Sequence, residues 1–380
     1  MKGVMMLINL FPPYGGGTER QAERLAAYLT QQNIYAGFIT RKLDDSKYVE
    51  TKNGFQIFRI PELGPGKIKS LSFILGAFFT MIRRSKSFDI LHAHLAFAPA
   101  VAASIAGKML GKQVIVKFGN SGAFGDIHEL NRTWRGRLAL TIIRRWADAY
   151  IALTDEIESE LLEAGFPPAR IVRVVNGVNT ALFCPSADKR AAKAVLHQAG
   201  KTVFLFTGRL TAQKALPDLF LALKQVIDVY ANVHLFLLGD GEEQRSLEAL
   251  AADLNIAPHV TFAGRRDSVK LYLDAADIFV LPSLGEGISN SLLEAMSSGL
   301  ACIATNVGGS VDALADGAGI LVSPNNVGQL ADAILHLIAD PKEMEYLGKQ
   351  ARQRAIEQYD LDAVGKRYFD LYRTLADGVA

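Results

Sequence analysis

The stretch DIFVLPSLGEGISNSLLEAM, Asp277 to Met296, reads as an apolar run, a glycine-bounded turn and the start of an apolar helix. DIFVLPS has the length and composition of a buried strand, LGEGISN is its loop, and SLLEAM begins a helix. A strand that feeds a helix through a short loop is the repeating unit of a parallel sheet. The same stretch places one carboxylate, Glu286, in the turn and a second, Glu294, in the apolar run. One account of Glu294 is purely local: Ser291 and Glu294 fit the S-x-x-E capping box, which satisfies N–H groups at a helix start.

Outward from this stretch the alternation continues. The first half carries GVMMLINL, IYAGFIT, FQIFRI, DILHA, VIVKF and AYIAL, and the second TVFLFTG, VHLFLLG, HVTFAG, DIFVLP, ACIAT and GILVS. Segments of helical spacing, such as TERQAERLAAYLTQQ, lie between them. At 380 residues the chain exceeds one ordinary core. The expectation is therefore α/β, with two doubly wound, Rossmann-like domains facing each other across a cleft. Asn176-Gly177 is a turn signal and Pro185 opens a polar stretch, which sets the domains at 1–182 and 183–360. In residues 361–380, Val364, Tyr368, Leu371, Tyr372 and Leu375 predict an amphipathic helix in need of a partner surface.

Composition narrows the classes. Apolar residues make up 49% and charged residues 21%, as in a globular protein. Cys184 and Cys302 lie far apart, without metal-ligand spacing or a disulfide framework, which favours a reducing compartment. Lys2 and the apolar GVMMLINLF are followed by PPYGGG rather than a cleavage pattern, so a buried strand is expected there, not a signal peptide. Leu71 to Ile82 is too short to span a bilayer and is expected as a buried or interfacial helix. These readings place the protein in the cytoplasm, with peripheral contact at the membrane's inner face as an option. Residues 1–182 hold 23 Lys or Arg against 15 Asp or Glu, and residues 183–380 hold 18 against 24. That asymmetry suggests an anionic partner for the first half, while the acidic second half argues against nucleic acid.

Open α/β sheets bind ligands at the carboxyl ends of their strands. After the first strand, Gly15, Gly16 and Gly17 enter a helix expected to be capped by Thr18 with Gln21 completing the box. Such a helix start suits phosphate, although a glycine run is also a plain turn. Beyond TVFLF, Arg209 and Lys214 flank a turn where two cations can neutralise a diphosphate. The turn Gly239–Glu243 reads as structural. The loop amides of Gly287, Ile288, Ser289, Asn290 and Ser291 lie at a helix start, a second phosphate cradle. A ligand with ribose, diphosphate and sugar would use all of these groups and both glutamates: a sugar nucleotide.

GRLTAQK, EGISNSLLEAMSSGLACIATNVGG and VVNGVNTALF resemble the motifs of the retaining glycosyltransferases of family four, across nearly the whole chain. The resemblance implies the GT-B fold, with the tail helix crossing back to the N-terminal domain. It implies that the first domain binds the acceptor and the second the nucleotide sugar, with UDP preferred. It also implies diphosphate binding by Arg209 and Lys214, sugar contact by Glu286, ribose contact by Glu294, and Arg265 beside the base. Glu286, Arg209 and Lys214 are the expected catalytic groups. Relatives react on one face of the sugar without metal or other cofactor, and no carboxylate cluster for a divalent ion stands out here.

The acceptor side departs from the pattern. Many relatives carry a histidine after the strand matching VIVKF, where this chain has Gly119 and Asn120. His92 and His94, which end another strand, are candidates, with satisfied structural histidines as the alternative. Asn120, Asp126 and His128 are further candidates. Acceptors in the family are often glycans or lipid-linked saccharides used for surface or exported polysaccharide, and the basic first half would suit an anionic membrane surface. Asn131 to Trp146 mixes arginines with apolar positions, as either an interfacial helix or a core helix with snorkelling arginines. The alternatives are a non-catalytic nucleotide- or glycan-binding regulator and a sugar-nucleotide epimerase on the same fold.

Overall fold

The computed structural model describes residues 1–11, 15–43, 46–64, 67–266 and 268–378. Residues 12–14, part of the loop expected after the first strand, lie outside them. The chain divides into two compact units, Met1–Gly177 with Leu361–Ala380, and Val178–Asp360.

The first unit is built on eight strands: β1 (Gly3–Leu7), β2 (Tyr35–Arg41), β3 (Val49–Lys52), β4 (Phe55–Ile60), β5 (Ile90–Ala93), β6 (Gln113–Phe118), β7 (Ala149–Ala152) and β8 (Ile171–Arg173). Their order is β3-β4-β2-β1-β5-β6-β7-β8, and every pair is parallel except β3 with β4. The apolar runs become buried strands because helices cover a parallel sheet on both faces. Eight strands replace the six expected here. β3, VETK, pairs antiparallel at the sheet edge with its side chains half in solvent, so it carries no apolar run. Asn53 and Gly54, with φ of 51° and 82°, make the tight turn that joins it to β4. β8 has only three residues, too few for a pattern.

The second unit holds β9 (Thr202–Thr207), β10 (Val233–Leu238), β11 (Val260–Gly264), β12 (Ile278–Leu281), β13 (Ala301–Thr305) and β14 (Ile320–Val322), all matching expected runs. Their order is β11-β10-β9-β12-β13-β14, all parallel. In each sheet the strand order reverses once along the chain, between β1 and β5 and between β9 and β12. The carboxyl ends of those strands are the places where loops diverge and leave room for a ligand.

The tail helix Leu361–Ala376 completes the core of the first unit. Val364, Tyr368, Tyr372 and Leu375 are buried there with Leu25, Leu29, Met6 and Val174. A Cβ on Gly365 would lie 2.6 Å from the Tyr28 ring, so only glycine permits this approach of two helices. The chain leaves the first unit at Gly177, whose N–H donates to Gln21 Oε1 (3.1 Å) and whose carbonyl accepts from Gln21 Nε2 (2.6 Å). The segment 178–182, which the sequence assigned to the first domain, is tied to the second unit. Val178 N–H donates to Tyr359 O (2.8 Å), and Thr180 Oγ1 lies 2.5 Å from Asp360 Oδ2. Among the described residues no helix is long and apolar enough to cross a membrane.

Candidate functional site

The loops after β9 and β12 are locked together. Gln213 Nε2 donates to Gly285 O (2.7 Å), and Leu284 N–H donates to Gln213 O (2.8 Å). These bonds place Lys214 against Glu286, and the two form an ion pair with both side chains largely buried. Ser283 Oγ, fully buried, donates to the same Glu286 oxygen at 2.7 Å. Thr305 at the end of β13 fixes Ser283 through its carbonyl. Gly309 N–H donates to Glu286 O (3.3 Å), and a Cβ on Gly309 would sit 2.4 Å from Gly287 O. Three adjacent strand ends therefore hold a single carboxylate in place.

Arg209 stands in the same turn as Lys214 but is exposed. The turn survives because β10 ends in glycines. A Cβ on Gly239, at φ 143°, would overlap Gly208 O at 1.8 Å, and one on Gly241 would lie 2.2 Å from Leu210 O. The Gly239–Glu243 turn is thus the scaffold the sequence suggested. Arg265 is exposed just past β11, where Gly264 turns the chain at φ 67°.

The helix after β12 runs Asn290–Ser297. Its cap is Ser289, whose Oγ accepts from Leu292 N–H at 3.4 Å and lies 3.0 Å from Ser291 Oγ. This corrects the capping-box account: the cap is Ser289, and Ser291 lies inside the helix. Glu294 is 5% exposed. Gly287 and Ile288 follow Glu286 directly in the chain and lead to the cap Ser289 and the first helical residue Asn290.

In the first unit the glycine loop is capped differently from expectation. The helix Gly17–Gln31 has Gly16 at its cap, and Gly16 N–H donates to Glu19 Oε2 (2.8 Å). Thr18 is not the cap, and Gln21 is spent on Gly177 rather than on a capping box. A carboxylate therefore already lies at the helix start proposed for phosphate at Gly16 and Gly17.

His92 and His94 do not face solvent. Both are buried, with rings stacked 4.0 Å apart, and His92 Nδ1 meets the Tyr372 hydroxyl at 2.6 Å. They belong to the seat of the tail helix, which corrects His92 as an acceptor contact. Burial, followed by the neighbouring Lys117, pushes the His92 imidazole well below its ordinary range. Burial likewise lowers His94, with His92 and Lys117 adding to it. His94, Lys117, Gln21, Leu25 and Tyr368 line a small pocket under the tail helix.

Asp126 is also buried and accepts from Gly119 N–H at 2.7 Å. Burial raises its carboxyl to about 6, against the pull of that N–H. It fixes the loop after β6, where Asn120 is half-buried, while His128 is exposed one turn along the helix Asp126–Asn131. Sequence reasoning missed Lys117, whose Nζ donates to Asn176 Oδ1 (2.7 Å). Its signal was a lysine inside the apolar run VIVKF. Burial brings its ammonium down to about 7. Among the described residues no three His, Cys, Asp or Glu side chains converge as a metal-binding set.

Comparison with known proteins agrees with this arrangement. The profile for Glycosyltransferase Family 4 matches residues 15–182, and that for Glycosyl transferases group 1 matches residues 188–354. The UDP-Gal:alpha-D-GlcNAc-diphosphoundecaprenol alpha-1,3-galactosyltransferase of Escherichia coli is 25% identical over 89% of this chain and 86% of its own length. The N-acetyl-alpha-D-glucosaminyl L-malate synthase of Bacillus anthracis is 24% identical over 96% of this chain and 95% of its own. The crystal structure of Anabaena HepE in complex with UDP-glucose matches with a TM-score of 0.84 at 19% identity, over 98% of this chain and 99% of that one. Two parallel-sheet units with these loops define an enzyme of the GT-B class, a glycosyltransferase. The chain belongs to glycosyltransferase family 4.

Proposed function

We propose that this glycosyltransferase moves a sugar from a UDP-sugar to a glycan or lipid-linked saccharide in the synthesis of a surface or exported polysaccharide, with retention of anomeric configuration. The observation that carries the reading is the Lys214–Glu286 pair, held by Ser283 where β9 and β12 diverge. UDP as the nucleotide is supported by the UDP-glucose complex of HepE, and a lipid-linked acceptor by the E. coli relative.

In this reading the bond that breaks joins the anomeric carbon to the diphosphate oxygen. Negative charge grows on the departing diphosphate, and Arg209, Lys214 and the amides near Ser289 stabilise it. The acceptor hydroxyl attacks from the face the diphosphate leaves, and a diphosphate oxygen takes the hydroxyl proton, so no metal is invoked. Glu286 accepts from sugar hydroxyls and Glu294 from the ribose. Before an anion arrives, Glu286 keeps Lys214 pointed at the strand ends. A diphosphate then competes for the ammonium and frees the carboxylate for the sugar.

Titration calorimetry with UDP, GDP and ADP tests the donor side. UDP alone should bind well, and Arg209→Ala with Lys214→Ala should weaken it by several kcal/mol at most, as two charge-assisted contacts are lost. A folded protein that binds none of the three would overturn the reading.

A further inference from the structure

One surface of the first unit is not explained by sugar transfer. The helix Lys67–Arg84 leaves Ile68, Leu71, Leu75, Phe79 and Ile82 exposed, Phe79 by 62%. Their spacing of three or four residues draws one apolar stripe along the solvent side of the helix. Its other face is already satisfied: Phe73, Ala77 and Met81 are fully buried. The helix Ala98–Leu110 packs between it and the helix Trp134–Trp146, so the three form one layer. That layer also exposes Met109, Leu138 and Trp134, the last by 65%.

The charges of this layer are one-sided. Every charged residue on the three helices is a lysine or arginine. Arg83 and Arg84 end the first, Lys108 lies in the last turn of the second, and Arg144 and Arg145 end the third. A monomer rarely exposes an apolar stripe of this length without an occupant. A second copy docked face to face would set like charges against like, which is unfavourable. An anionic bilayer surface fits both properties, because apolar side chains enter the acyl boundary while basic ones meet lipid headgroups.

We propose that the layer formed by the helices Lys67–Arg84, Ala98–Leu110 and Trp134–Trp146 docks the first unit onto an anionic lipid surface, with the Ile68–Ile82 stripe inserted. The proposal rests on the reading of a lipid-linked acceptor and names the surface that brings the enzyme to it. The sequence left both Leu71–Ile82 and Asn131–Trp146 open as interfacial or buried helices; in this proposal the helix Lys67–Arg84 is the main insertion element and the helix Trp134–Trp146 its flank.

The chain carries its own probe, since its two tryptophans, Trp134 and Trp146, both lie on this layer. Full-length protein is mixed with vesicles of phosphatidylcholine, with and without phosphatidylglycerol, and read by tryptophan emission and co-sedimentation. A blue shift and sedimentation with the anionic vesicles alone are expected, weakening as salt rises. Leu75→Glu combined with Phe79→Glu should lower the partition at least about tenfold. Both side chains are exposed, and unchanged UDP binding and melting temperature would show that the variant folds. No shift in a folded, UDP-binding protein overturns the proposal, as does equal partition of the variant. A concentration-dependent dimer that the variant dissociates would assign the face to a second copy instead. Vesicle binding without UDP binding would sink the donor reading and leave the surface standing.

Discussion

Lys214 and Glu286 meet across 72 positions of sequence, and the Lys214 ammonium is held by the same carboxylate oxygen that accepts from Ser283. Each partner answers the other's buried charge, so removing one leaves the other uncompensated. Lys214→Met should lower thermal stability, and Lys214→Met with Glu286→Gln should recover most of the loss. A double variant no more stable than Lys214→Met would mean that the pair is not coupled.

Glu286→Gln separates the roles assigned to the pair. UDP has no sugar, and the substitution frees Lys214 for the diphosphate, so UDP affinity should stay level or rise. The turnover number for the full donor should fall about a hundredfold, the scale seen when a positioned electrostatic group is removed. Calorimetry and initial rates on one preparation decide it; a matching fall in UDP affinity would argue that Glu286 only shapes the loop.

The metal-free reading predicts that transfer survives chelation. Activity after dialysis against EDTA should equal the untreated rate, and added magnesium or manganese should not raise it more than about twofold, within ordinary ionic effects. A rate abolished by EDTA and restored by one divalent ion would require a metal to share the diphosphate with Arg209 and Lys214.

Lys117 gives a pH dependence with a definite sign. Its folded ammonium titrates near 7, against 10.5 for an unburied lysine. Between those values the unfolded chain binds the extra proton, so stability rises with pH across the window, by at most about 1.4 kcal/mol per unit. Below about 7 the penalty is fully present. Urea melts at pH 7, 8 and 9 should show this slope in the native chain and lose it in Lys117→Met. An identical slope in the variant would assign it to other groups.

The strand–loop–helix rhythm was legible because parallel strands buried on both faces must be apolar throughout, and all six runs of the second unit are strands. β3 was not legible: an antiparallel edge strand alternates with solvent, and VETK carries no apolar run. Arg209 and Lys214 follow β9 and Glu286 follows β12, as the sequence indicated, yet the pairing of Lys214 with Glu286 was not foreseen, because the loop bonds of Gln213 create it. The caps were misplaced by a few residues at Thr18 and Ser291, since a glycine or an earlier serine can serve equally well and only the backbone path decides. His92 looked like a site residue because it sits near a strand end; what distinguishes it is Tyr372, 280 positions later.

Tyr372 also measures how firmly that seat is built. Tyr372→Phe removes the contact with His92 Nδ1 and should cost about 1 kcal/mol, whereas Tyr372→Ala should cost about 3–5 kcal/mol. Denaturation curves followed by a first-unit probe, such as the emission of Trp134 and Trp146, would register both. Equal losses would mean that the hydroxyl, not the ring, carries the contribution.

The tail helix has a consequence for how the protein is made. The ribosome delivers the first unit's strands early, but their core lacks Val364, Tyr368, Tyr372 and Leu375 until the whole of the second unit has been made. The second unit, contiguous from Val178 to Asp360, is complete before that moment. Order of synthesis and order of completion are therefore reversed: the half that emerges first closes last. A stop codon near Asp360 would injure the amino-terminal half of the molecule, although every strand of that half would already have been made.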